Sequence, residues 1–123
     1  MKLTTALRTT RATDIVTAAG TNPKYKFYTG TESLTPAGTL LATLNVTGAL
    51  GTVSSGVIDL NETVTQSNGS HVAGTPTFAL ITTSADVAVC TLAIPSNMTF
   101  TGAVATGADV TLTAPCTITE GNP

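Results

Sequence analysis

The side chains able to carry chemistry are few: one histidine (His71), two cysteines (Cys90 and Cys116) and seven acids spread over 123 residues. General acid–base catalysis needs a pair of groups with matched protonation, or a metal in their place. His71 follows Ser67-Asn68-Gly69-Ser70, a polar turn sequence in which an imidazole is expected to be solvated. Every serine and cysteine would have to share this one base, so a Ser-His-Asp or Cys-His site has little to draw on. The cysteines lack Cys-x-x-Cys spacing, and with a single histidine no zinc site is expected. Asp59 and Glu62 are too few for a calcium ion, which takes several oxygen ligands, and read as outward acids at a strand end. No glycine-rich phosphate loop follows a strand and opens a helix. The chain is therefore expected to be no enzyme, with no catalytic residues, no cofactor and no metal. Asn-x-Thr/Ser sequons at Asn45, Asn61, Asn68 and Asn97 are the chance product of a threonine-rich sequence, and no modification is assigned to them.

The cations say more. All five, Lys2, Arg8, Arg11, Lys24 and Lys26, lie in the first 26 positions beside one acid, Asp14. From Phe27 onward come six acids and no base, so the two parts carry +4 and −6. Such asymmetry can dock a basic segment on an acidic partner or on nucleic acid, or lay it across its own acidic body. Lys24-Tyr25-Lys26-Phe27-Tyr28 has the composition of a base-stacking platform. Its alternation, however, sets the lysines opposite Tyr25 and Phe27, which suits a core-facing strand better. Nucleic acid is not an expected partner.

These residues need elements to position them. Residues 3 to about 19 form the one helical candidate, with Thr4 or Thr5 as N-cap and Gly20 supplying the C-terminal turn. Leu3, Ala6, Leu7 and Ala18 make a weak apolar stripe with Ile15 and Val16 near it. Six threonines between positions 4 and 17 lower the propensity, so the helix needs something to pack on. Asn22-Pro23 ends it. Strand patterns follow at 24–29, 39–46, 56–64, 75–82, 86–94, 98–104, 108–112 and 116–120. Gly48 to Gly56 reads as a loop, and Asn68-Gly69 as the clearest hairpin signal. About eight short strands at roughly ten-residue spacing predict an all-β fold of the β-sandwich or jelly-roll kind. Residues 1–22 would form a helical, basic arm and 23–123 the sandwich domain.

Threonine is almost a quarter of the chain, and charged residues are only 10%. Threonine is β-branched and favours extended backbone. So little charge predicts a surface partly covered by neighbours, and a homo-oligomer, dimer or trimer, is expected. Arg8, Arg11 and Asp14 interrupt any apolar leader, and no stretch is long enough for a membrane helix. A cytoplasmic origin is expected, with Cys90 and Cys116 as small buried thiols. They would pair later only if their strands are neighbours.

The order of several short pieces resembles a group of small structural proteins of tailed bacteriophages and prophages. The pieces are Leu3 to Arg8, Phe27 to Thr31, Leu40 to Leu44, Ala73 to Thr77, Gly107 to Val110 and Thr117 to Thr119. The group often carries an Asp-Gly turn where this chain has Thr83-Ser84-Ala85-Asp86. The resemblance implies a virion component assembled in the host cytoplasm, most readily a capsid decoration (cement) subunit bound to the major capsid protein. A tail, neck or baseplate component is the alternative, and a pilin- or adhesin-like subunit a more distant one. Contact with virion partners is expected through Leu3, Leu7, Arg8, Arg11, Ile15, Lys24 and Lys26, and through loops around Gly51 and Asn68.

Overall fold

The computed structural model describes residues 2–94, 96–100, 103–114 and 116–119. Pro95, Thr101, Gly102, Pro115 and Glu120, expected at turns and within strands, lie outside the described residues. One helix, α1 (Thr5–Ala19), precedes ten short strands among the described residues. These are β1 (Lys24–Tyr28), β2 (Leu40–Val46), β3 (Gly51–Ser54), β4 (Val57–Leu60), β5 (Val64–Gln66), β6 (Phe78–Thr82), β7 (Ala88–Ala93), β8 (Thr99–Phe100), β9 (Leu112–Thr113) and β10 (Thr117–Thr119). The fold is thus mostly β with one N-terminal helix, and every strand pair is antiparallel. A five-stranded sheet runs β5-β2-β1-β6-β7, a three-stranded sheet runs β10-β4-β3, and β8 pairs with β9.

The large sheet is organised by alternation. In β1, Tyr25 and Phe27 are fully buried on one face, opposite Ile81 and Ala79 of β6 and Leu44 and Ala42 of β2. Ile58 and Leu60 of β4, Leu50, Leu92 and Met98 join the same cluster. The core therefore draws on both larger sheets, and each large side chain buried there contributes about 1.5–3 kcal/mol. β6 is buried along its whole length, because both of its faces are covered. Phe78 and Leu80 point away from the main cluster yet are only 1% and 5% exposed. Tyr28 stacks on Phe78 with ring centroids 5.7 Å apart. The neck of the Thr29–Thr39 loop is tied beside them by Thr77 Oγ1 donating to the Gly30 carbonyl at 2.7 Å.

Helix α1 forms where its local signals place it. The Thr4 hydroxyl accepts from Leu7 N at 3.2 Å, and Gly20, at φ +70°, donates its N–H back to Thr17 and Val16. Its packing face differs from the expected stripe. Ala12 and Ala19 are buried with Ile15 and Val16 against the core, while Ala6, Leu7 and Ala18 face out. Small side chains let the helix lie close on β3, β4 and β7.

Two turn assignments are corrected. The stretch around Gly51, read as a loop, is β3, which pairs with β4 through a two-residue turn at Ser55-Gly56. Both turn residues have positive φ, +51° and +79°, as the tight hairpin connection requires. Asn68-Gly69 joins no hairpin: β5 pairs with β2, β6 pairs with β1 and β7, and Asn68–Ser70 is a single 3-10 turn.

Candidate interaction surface

Leu7, 46% exposed, is the large apolar residue that α1 presents outward, with Arg11 exposed one turn on. Leu3 is half-buried just before the cap. Arg8 is half-buried, and its side chain lies over the Ser55-Gly56 turn: a Cβ on Gly56 would meet Arg8 Cβ at 2.9 Å and its guanidinium just beyond. Ile15 packs against the core, so it belongs to the seam between α1 and the body. The helix thus joins body and surface, one face held by Ala12, Ile15, Val16 and Ala19, the other a lightly charged Leu/Ala/Thr face.

Lys24 and Lys26 lie elsewhere, side by side on the outer face of β1. Both ammonium groups bind Asp86 Oδ1, at 2.9 and 2.8 Å. Hydrogen bonds from Lys26, then Lys24, hold the Asp86 carboxyl down at about 2. This acid sits at positive φ (+67°) in the β6–β7 turn. For these two lysines the acidic partner is the chain's own body. The expected contact residues are therefore not one patch: α1 carries Leu7, Arg8, Arg11 and Ile15, with Leu3 just ahead of it, and the sheet face carries Lys24 and Lys26. Sequence reasoning misses Asp86 as their partner because the pairing spans some sixty positions that only the β1–β6 register brings together.

The Asn68 loop is stitched to residues 104–110 by side chains. Gly74 and Val104 exchange backbone bonds at 3.0 and 2.8 Å. Thr106 Oγ1 donates to the His71 carbonyl at 2.6 Å, and Asn68 Nδ2 donates to Asp109 Oδ1 at 2.8 Å. The Gln66 amide closes both ways on Val110, giving to its carbonyl at 3.0 Å and accepting its N–H at 2.7 Å. His71, expected to be solvated, is only 4% exposed. The ring lies within this seam, with Nδ1 3.2 Å from the Ala108 carbonyl and Nε2 buried without a hydrogen-bond partner. It borders a groove of about 230 Å³ with Leu40, Thr43, Ser67 and Ser70.

Two further asparagines weld the body. Asn61 Nδ2 donates to the Thr47 and Ala49 carbonyls, and the Asn61 carbonyl accepts from Tyr25 OH at 2.8 Å. Asn97 Oδ1 accepts from Ala93 N, and its Nδ2 donates to the Thr117 carbonyl, joining β7 to β10. The amides of Asn61, Asn68 and Asn97 are thus all engaged internally. Burial, with smaller contributions from Cys116, Glu62 and Cys90, raises the Tyr25 hydroxyl well above its ordinary range. Burial also lifts the Cys90 thiol to about 11 and raises that of Cys116. Both cysteines are free thiols. Asp59 and Glu62 line a second shallow groove, and among the described residues no cluster of three or more metal-ligating side chains occurs. Among the same residues no helix is long and apolar enough to cross a membrane.

Comparison with protein-family models, with curated proteins and with solved structures returns no match in any of the three.

Proposed function

We propose that this chain is a structural subunit of a bacteriophage particle, acting by protein–protein contact and without catalysis, and most readily as a capsid decoration subunit. The observation that carries the reading is α1. It is a helix fixed to a β body by buried alanines, and it presents Leu7 with Arg11 on an otherwise threonine- and alanine-rich face. A face of that kind suits repeated weak docking on a shell, where many small contacts add through multivalency. The low charge of the chain, 10%, and the resemblance of its short sequence pieces, in their order, to small phage structural proteins favour the same reading. We take the body to be a sandwich of the jelly-roll kind, supported by a core to which both larger sheets contribute. A tail, neck or baseplate position is the second reading, favoured by the same sequence pieces.

The test is co-sedimentation of purified chain with phage shells. Leu7→Asp is expected to abolish binding while circular dichroism and thermal unfolding stay near wild type. Undiminished binding by that variant removes α1 from the interface. Failure of the wild-type chain to bind any shell, with labelling confined to the tail, transfers the protein to the second reading.

A further inference from the structure

We propose that Asn68-Gly69 is a site of spontaneous deamidation, and that its conversion unfastens residues 104–110 from the body. This goes beyond the structural role proposed above and does not depend on it.

The chemistry is intramolecular. The Gly69 backbone nitrogen, on losing its proton, attacks Asn68 Cγ. The new C–N bond closes a five-membered succinimide, and the Cγ–Nδ2 bond breaks as ammonia leaves with the proton. Water then opens the ring at either carbonyl, giving an aspartyl or an isoaspartyl residue. The net change is amide plus water to carboxylate plus ammonium.

The surroundings leave the nucleophile accessible. Gly69 is exposed, and a Cβ placed on it would meet nothing within 4 Å. The Gly69 N–H makes no hydrogen bond among the described residues, since the 3-10 turn is closed by Ser70 N to the Ser67 carbonyl and His71 N to the Asn68 carbonyl. Such free donors are normal in the first turn of a helix. The brake lies on the other side, where Nδ2 is held by Asp109 Oδ1 at 2.8 Å. Reaction requires the amide to leave that carboxylate and the turn to open.

The same hydrogen bond makes the product disruptive. An aspartate at position 68 would set its carboxylate against that of Asp109 at hydrogen-bond distance, replacing an attraction with like-charge repulsion. The isoaspartyl product does more. The Asn68 carbonyl, which accepts both His71 N at 3.1 Å and Gly107 N at 2.9 Å, would leave the main chain and become a free carboxylate. The seam would then rest on Gln66–Val110, Thr106–His71 and the Gly74–Val104 bridge.

The intact chain is incubated at mildly alkaline pH and followed by peptide mapping with isoaspartyl detection. Conversion is expected at Asn68, severalfold faster in Asp109→Ala and severalfold slower in Gly69→Ala. Loss of hydrogen-exchange protection across residues 104–110 should accompany it. Asn68→Asp is expected to melt at a lower temperature than wild type. The exchanged pair N68D/D109N, which restores one donor and one acceptor, should recover most of the difference. An Asn68 amide that stays intact while the free peptide Ser-Asn-Gly-Ser converts fully overturns the proposal. So does an exchanged pair no more stable than Asn68→Asp alone.

Discussion

Asp86 gathers two lysines on one oxygen from an exposed turn, which gives it a pH signature. Its carboxyl is held below its ordinary range in the folded chain, at about 2. The stability it contributes is therefore present above the unfolded value near 4 and lost as pH falls through about 2. Thermal melts across this window should show wild type losing stability on acidification. The Asp86→Asn variant should start lower at neutral pH and converge on wild type below pH 2. Asparagine keeps the left-handed turn geometry, so the difference reports charge. The thiols set the opposite limit. Burial raises Cys90 to about 11, so the stability linked to its protonated form is complete below about pH 9 and lost as pH climbs through 11. Tyr25 and Cys116 act in the same direction. At pH 8 only about one Cys90 in a thousand would be thiolate. Labelling by a thiol-disulfide reagent should therefore be slow in the native chain and rapid once denaturant unfolds it. Fast native labelling of Cys90 would show that its strand opens readily.

The β3–β4 hairpin carries the sharpest element-scale test. Gly56 combines φ +79° with the Arg8 side chain lying where a Cβ would go. Gly56→Ala should cost about 1–3 kcal/mol through backbone strain and displacement of α1. Ser55→Asn, at φ +51°, should gain about 0.5 kcal/mol because asparagine tolerates that region better. Denaturant midpoints at unchanged slope would check both. The same hairpin marks where the sequence is legible and where it is not. The caps of α1 are readable because Thr4 and Gly20 act within a few residues of themselves. The alternation of β1 and β2 is readable because one face of each is buried. Ser55-Gly56 is harder to find because Asn68-Gly69 has the stronger local turn preference, yet the strands flanking that dipeptide pair elsewhere. The burial of His71 is invisible for a related reason: the groups hydrogen-bonded to it, on Thr106 and Ala108, lie far along the chain, beyond any local pattern. The packed helix face departs from the apolar stripe because the body accepts Ala12 and Ala19 at close range and leaves the larger Leu7 outside.

At the scale of the molecule, the accessible surface is 6205 Å², close to the ~6100 Å² that a compact monomer of this mass exposes. Helix, both larger sheets and the Cys116 region share a single buried cluster. Unfolding is therefore expected to be one cooperative transition, with the helical circular-dichroism signal and the emission of buried Tyr25 lost together. Separate transitions would instead mark residues 1–22 as a unit of their own.

The seating of α1 bears on how the chain comes off the ribosome. Its landing ground is built from β3, β4 and β7, so α1 is translated ahead of all of that ground, which is complete only once position 93 has been reached. A threonine-laden helix is marginal alone, and nascent chains stalled before β7 should leave α1 open to protease until β7 has been made. The helix is made before every strand that anchors it.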